Sequence, residues 1–471
     1  MKNLKILFQY LIGSGALLII GIISTPIITR VINPEQLGKF SFFNTMISFL
    51  QVICLMGLDQ AYSRFYDEYT TKKENLFLFC TKIPIIAGII FSIFIILFNQ
   101  KVSLFLVEEN SILVAILFSA NVLLMILTTM HNLEIRMQQN AKLYSFVNFA
   151  LKLFYLVFVL LFYSFYGDTY LTNIYALSVT NLIIFIFLFI RKNVRLNKNK
   201  KCIKLSKKEK VQIFKYSLPL LFTMAIDWLL TSMDKLSIRQ YAGYNQIGIY
   251  SGAQNIATIG QSIYSAFSVF WFPFAYKFYK KENEKKIYLL FHCATLIGLI
   301  CMCFVVLFKH FLIMFLGSSY HSAINIFPFL IYVPVLKFIS DFSVVQINLE
   351  NKTYFHLWVS IIACTCNFIC NFLFVPRIGA LGAAIATCLA YIVFLIIRFV
   401  FCNKKTILDF KLKRLLISVF TVLMLLLITT IYSNLIVDFL LPIAIILLFC
   451  LLYKKELFNI IKLLRGIKLD V

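Results

Sequence analysis

Apolar positions in this chain follow neither a strand period nor the one-sided stripe of a soluble helix. They run on for the thickness of a bilayer and then stop at short polar stretches. Runs of roughly 18–25 residues poor in Lys and Arg, each long enough to cross the hydrocarbon core as a helix, occur fourteen times. They lie near 9–30, 40–61, 76–99, 111–131, 143–166, 169–191, 212–235, 247–272, 287–308, 323–349, 354–375, 379–399, 415–433 and 435–453. The pattern predicts an all-α, polytopic membrane protein of about 14 transmembrane helices. The first run follows a short basic start, "MKNLKILFQY", and continues to about residue 32 without an A-x-A-like cleavage site. It reads as a first transmembrane helix rather than a removed signal peptide.

The polar stretches between runs carry charge of alternating character. With the N-terminus placed inside, 34 of the 45 Lys and Arg fall on the inner side, 7 on the outer side, and four (Lys82, Lys152, Lys215, Lys337) within spans. This bias predicts an N-in, C-in topology. A formal charge of +25 would suggest nucleic acid in a soluble chain. Here it is topological, with attraction to anionic lipid heads as a second use and no nucleic-acid partner. The ten-cation stretch Arg191 to Lys210 reads as a cytoplasmic linker.

A shift of 210 residues lays "EQLGKFS" (Glu35 to Ser41) on "NQIGIYS" (Asn245 to Ser251), with Gln, Gly and Ser identical. Each copy follows one span and opens the next. Each is followed one span later by an aromatic–charged exit, "RFYDE" (Arg64 to Glu68) and "KFYKKE" (Lys277 to Glu282). Six spans separate the copies, so both halves enter the membrane from the same face and the repeat is parallel. The predicted organisation is an N-terminal six-helix lobe (1–191), a basic cytoplasmic linker (192–211), a C-terminal six-helix lobe (212–400), and two extra helices with a basic tail (401–471). Gly38 and Gly248 are expected to allow a tight turn and close approach. Gly248 and Gly252 form a G-x-x-x-G pair suited to helix packing.

With 61% hydrophobic and 14% charged residues, the chain has too much apolar surface for a soluble interior. Twelve Cys, mostly within spans, show no paired C-x-x-C or H-x₃-H arrangement, and the five His are scattered, so neither a metal site nor a cofactor is expected. No G-x-x-x-x-G-K-[ST] is present, so the chain carries no P-loop ATPase of its own. The predicted outer loops are short, against a membrane glycosyltransferase or polymerase. That leaves a secondary transporter rather than an enzyme, with H⁺ or Na⁺ as coupling ion.

Charges at bilayer depth cost at least about 2.5–3.5 kcal/mol on insertion scales, so each must face protein or water. Near span ends Lys82, Lys215 and Lys235 can snorkel. Span 5 carries Asn148, Lys152 and Tyr155 on one face, and span 7 carries Thr223, Asp227, Thr231 and Asp234. Span 10 carries Lys337, Asp341 and Asn348 with Pro328 and Pro334, and span 11 carries Ser360, Cys364, Asn367 and Asn371. Spans 2 and 8 add Gln51, Asp59, Gln254, Asn255 and Gln261. Lys337 and Asp341, four apart, suit an internal ion pair as well as a cavity. Taken together, these groups predict a hydrated cavity between two lobes. Lys152 and Lys337 would face an anionic, hydroxyl-rich cargo, with Asn148, Tyr155, Asn367 and Asn371 as hydrogen-bonding or stacking partners. Asp59, Asp227 and Asp341 would carry the coupling ion. A multidrug cation exporter would need a net acidic cavity instead, and a scaffold or channel would not need paired lobes with buried acids.

"DKLSIRQYAGYNQIGIYSGAQNI" (Asp234 to Ile256), the hairpin "STPIITRVINPEQLGKFSFFNTMISFLQVICLMGLDQAYSRFY", and "NKTYFHLWVSIIACTCNFICNFLFVPRIGALGAAIATCLAY" (Asn351 to Tyr391) carry a resemblance. They resemble the polysaccharide-transport, Wzx-type flippase branch of the multidrug/oligosaccharidyl-lipid/polysaccharide exporter superfamily, over about residues 8–400. The resemblance implies a MATE/MurJ-like fold of two six-helix bundles and a cationic cavity to which Arg30 would add; Arg30 is equally placed as a snorkelling anchor. It implies flipping of undecaprenyl-pyrophosphate-linked oligosaccharide repeat units, for O-antigen, capsule or a similar surface polysaccharide, across the bacterial cytoplasmic membrane. A polysaccharide polymerase and chain-length machinery are the implied partners.

Overall fold

A computed structural model describes residues 2–196, 204–279, 284–349, 354–403, 411–432 and 434–458. Among them the regular elements are helices. These are α1 (Lys2–Val31), α2 (Pro34–Leu55), α3 (Leu58–Phe65), α4 (Lys73–Leu97), α5 (Asn99–Val107), α6 (Ile112–Met137), α7 (Ala141–Tyr166) and α8 (Tyr170–Leu196). They continue with α9 (Lys207–Tyr241), α10 (Gly243–Tyr279), α11 (Glu284–Leu307), α12 (Lys309–Ile313), a 3₁₀ turn at Ser318–Asn325, α13 (Phe327–Leu349), α14 (Tyr354–Asn403), α15 (Leu412–Ile431) and α16 (Leu435–Leu452). Eleven helices among the described residues are long and apolar enough to cross a membrane. The expected figure of fourteen differs for identifiable reasons. α14 holds two expected spans in one element, interrupted at Ile378 and at Gly379 (φ +54°). α1 is 30 residues long, but the part of it described closely enough to be counted is the shorter apolar stretch Gly15–Val31. α10, at 37 residues, is long enough, but Gln, Asn and Ser dilute its apolar run.

Two expected boundaries move. The run 40–61 is not one helix: it ends at Leu55, Met56 and Gly57 turn through left-handed backbone, and α3 begins anew. The run expected from 323 opens instead with the 3₁₀ turn, and α13 starts at Phe327. Parts of the basic linker, of the exit "KFYKKE" and of the C-terminal tail lie outside the described residues.

Capping explains several starts. Asn33 accepts from the Gln36 amide ahead of Pro34 at the first helical position. It also donates to Asp168 from both its backbone N (3.0 Å) and Nδ2 (2.6 Å), tying α2 to the α7–α8 turn. Ser206 and Glu209 form a reciprocal capping box on α9, and Lys72 reaches Glu209 at 2.7 Å.

Helix starts recur at the repeat spacing. Asn99 and Lys309 open the short helices α5 and α12, 210 residues apart, and Tyr170 opens α8 as residue 380 opens the second arm of α14. The chain divides into two compact units, Met1–Ser251 and Gly252–Val471. The division falls inside α10 because its first turns and α9 pack with α2 and α3. Repetition says which helices correspond; compactness says which ones touch.

Within the first unit the two copies of the turn meet each other. A Cβ on Gly38 would collide with the Tyr244 carbonyl, and one on Gly248 with the Pro34 carbonyl. These are the same contact seen twice, since Pro34 and Tyr244, like Gly38 and Gly248, are 210 apart. Ser41 Oγ and Ser251 Oγ, also equivalent, share a hydrogen bond of 2.7 Å. The glycines are therefore required by backbone proximity, as in a self-complementary interface.

Candidate functional site

The second unit holds the denser polar cluster. α13 is apolar on most of its surface, and Pro334 interrupts its hydrogen-bond ladder one turn before Lys337. Asp341, on the next turn, is buried to 3% exposure. Its Oδ2 accepts from Tyr264 Oη of α10 (2.9 Å), and its Oδ1 faces Arg398 Nη1 of α14 (3.6 Å). Arg398 also donates to Ser340 Oγ (3.1 Å) and lies over the Phe394 ring (4.0 Å). Trp271 donates to the Asp341 carbonyl (3.4 Å) and closes the apolar side against Phe342.

The spacing of Lys337 and Asp341 suggested a pair along one helix. Instead Lys337 is placed over the Tyr391 ring at 4.8 Å, and the guanidinium from α14 takes the nearer position to the carboxylate. A planar fork resting on an aromatic face is better suited to a desolvated carboxylate than a flexible ammonium. One turn or two towards the end of α13, Asn348 accepts at Oδ1 opposite His356 Nε2 (2.8 Å) and donates from Nδ2 to Tyr276 Oη (2.9 Å).

Asn367 and Asn371, expected in a cavity, are fully buried. Asn367 Nδ2 donates to Thr387 Oγ1 (3.0 Å) across the two arms of α14, and Asn371 Nδ2 donates to Asn367 Oδ1 (3.1 Å). Asn367 thus ties the two arms together, and Asn371 holds it from the next turn of the same arm.

In the first unit the polar stripe of α7 fans out to different neighbours. Lys152 is exposed and donates to the Leu17 carbonyl of α1 at 3.2 Å. Asn148 accepts from Asn132 of α6 (3.2 Å) and donates to the Tyr144 carbonyl (2.8 Å). Tyr155 donates to Asn173 of α8 (2.9 Å) and stacks on Phe40 of α2, ring centroids 5.9 Å apart. Gln51 donates to Thr129 at 2.7 Å. Asp59 is buried at the start of α3, where Gln60 donates to its Oδ2 (2.8 Å). Asp227 is exposed on α9, and Arg30 is exposed at the end of α1. Lys152 thus stands apart from the acids, whereas Lys337 belongs to a compensated group.

Sequence reasoning missed Arg398 and Tyr264. Arg398 sits at the end of an expected span, which places it with the inner loop. The signal that identifies it is its place seven residues after Tyr391 and four after Phe394, on one face of a helix that continues to Asn403.

Comparison with known proteins agrees with this architecture. The profile of the family described as polysaccharide biosynthesis protein matches residues 5–278. The capsular polysaccharide biosynthesis protein CapF of Staphylococcus aureus is 25% identical over 284 residues, 57% of this chain and 69% of that one. The Lsg locus putative protein 1 of Haemophilus influenzae is 24% identical over 291 residues, 61% and 68% of the two chains. Among solved structures, an inward closed conformation of the lipid II flippase MurJ superposes with a TM-score of 0.68 at 14% identity, covering 96% of this chain and all of that one. An inward-facing multidrug resistance MATE family transporter of the MOP superfamily gives 0.62 at 15% identity, covering 82% and 94%. The fold is MATE/MurJ-like.

Proposed function

Because the chain belongs to the polysaccharide biosynthesis protein family, we propose that it is a flippase for undecaprenyl-pyrophosphate-linked oligosaccharide repeat units. It moves them from the inner to the outer leaflet of a bacterial cytoplasmic membrane, with both termini on the cytoplasmic side. The product serves O-antigen, capsule or a similar surface polysaccharide, and a polymerase with its chain-length machinery takes it up. The observation that carries this reading is Lys152: a cation at bilayer depth, exposed, whose contact is a neutral carbonyl. Such a group meets the requirement of a phosphorylated head group in transit, while the lipid tail stays in the bilayer.

Transport proceeds by alternating access, with no catalytic step, and H⁺ or Na⁺ entry drives it. One charge crossing the membrane supplies about 2.3 kcal/mol per 100 mV. Asp227 and Asp341 are the carboxylates assigned to that ion, with Asp59 as a third. Complementation of a flippase-null strain tests the cargo. Lys152→Ala and Lys337→Ala are expected to abolish surface polysaccharide while the protein still inserts; full export in both removes the cationic path. A multidrug exporter would instead confer cation efflux in the same strain. In reconstituted vesicles Asp227→Asn is expected to uncouple flipping from the gradient, and unchanged gradient dependence would rule that carboxylate out.

A further inference from the structure

At one end of the first unit, helix ends from three stretches distant in sequence converge on a half-open cavity of about 280 Å³. Tyr62 and Tyr66 enter from α3 and its last turn, Lys73 and Glu74 from the start of α4, Glu134 from the end of α6, and Arg191 and Lys192 from α8. All these helix ends fall on the side to which the distribution of Lys and Arg assigns the cytoplasm. Lys152 is not part of this wall, so the cavity stands apart from the transport path proposed above.

Its charge is unbalanced. Three cations line it against two carboxylates, and Glu134 is engaged by Lys192 at 3.2 Å. Lys192 Nζ is buried, its contact with Glu134 lacks hydrogen-bond geometry, and it sits on the Phe77 ring with the centroid 2.9 Å away. Lys73 Nζ likewise rests on the Tyr66 ring at 3.7 Å, with Asp67 at 3.6 Å exposed to solvent. An ammonium held against a ring face keeps N–H donors for a further acceptor. The volume admits several times the roughly 30 Å³ that one water occupies in liquid, enough for a phosphate group and a small polyol.

We propose that this cavity binds a phosphate ester at the cytoplasmic end of the first unit, independently of what the protein carries. Lys73 and Arg191 hold the phosphate oxygens, Lys192 adds its charge from beneath the wall, and the Tyr62 and Tyr66 edge receives the hydroxylated head. Such a group reaches that level from two sources: the head of an anionic inner-leaflet glycerophospholipid, or a soluble phosphorylated compound.

Two probes on the full-length protein separate these sources. One is native mass spectrometry after reconstitution in phosphatidylcholine nanodiscs doped with phosphatidylglycerol. The other is thermal stabilisation by inorganic pyrophosphate in lipid-free micelles. Saturable binding of one probe at one per chain is expected, weaker in high salt, and at least about fivefold weaker in Lys73→Gln/Arg191→Gln. Gln138→Glu, which adds a negative charge at the wall without removing a cation, is expected to weaken it too and serves where the double variant fails to fold. Phosphatidylglycerol retention identifies the lipid source, and pyrophosphate stabilisation the soluble one. Binding of neither, or binding unchanged in both variants, overturns the proposal.

Discussion

The turn at 34–41 and its copy at 244–251 keep their residues and touch each other through equivalent atoms, whereas the two mid-span lysines, Lys152 and Lys337, have no counterpart. Under the same 210-residue shift Lys152 falls on Ile362 and Lys337 on Leu127, with no Asp, Glu, Lys or Arg within five residues of either. Close backbone approach is a requirement of both halves alike, so both retain glycine. A charge in hydrocarbon is expensive wherever it stands, so it persists only where one particular place makes use of it. The scaffold is twofold and the chemistry is not.

The strongest way to break this comparison is to strip compensation from the second unit. Arg398→Gln leaves Asp341 buried with Tyr264 as its remaining close partner, and is expected to cost about 3 kcal/mol of stability in detergent melts. Adding Asp341→Asn should restore part of that loss, as a thermodynamic cycle would show; additive losses would mean the two groups do not depend on each other. Next come Gly38→Ala and Gly248→Ala, each expected to cost about 1–3 kcal/mol through overpacking. The symmetry of the contact predicts similar losses for the two, and a clear inequality would show that the halves do not share the contact equally.

A smaller effect concerns acid. At the end of the second unit Arg414 grips Glu456 with two hydrogen bonds, 2.7 and 2.9 Å. Burial pushes the Glu456 carboxyl up, but the Arg414 hydrogen bonds outweigh it and leave its pKa below the usual value. Because the folded-state pKa is depressed, this contribution is present above the unfolded carboxylate pKa of about 4.3 and is lost as pH falls through the folded value. Glu456→Gln should therefore remove about 1 kcal/mol at neutral pH and flatten the acid limb of a stability profile. Least of all in stability, and largest in function, is Lys152→Gln. Its melting should match the parent within about 0.5 kcal/mol, since the side chain is exposed and bonded to a carbonyl. A large destabilisation would place Lys152 in the scaffold instead.

Much of the fold is legible along the chain. Uninterrupted apolar length needs no partner to be recognised, because a helix in hydrocarbon satisfies its own backbone. Gly38 and Gly248, repeated in matching turns, mark a close approach by their spacing alone, and the contact they make is with each other's turn. Asn367 and Asn371 are ambiguous in sequence, since a buried amide such as Asn367, bonding across the two arms of α14, has the same sequence pattern as one lining a hydrated path. Arg398 is hidden by its place at a span end, where a cation usually reports topology alone.

The sequence by itself determined the class, most of the long helices and the repeated turn, because these depend on length, composition and order along one chain. Only the tertiary structure decided which acid meets which base, that the two copies of one turn face each other, and that Tyr62, Lys73, Glu134 and Lys192 share one cavity. Those are properties of side chains brought within a few ångströms by packing, and separation along the chain carries no information about that distance.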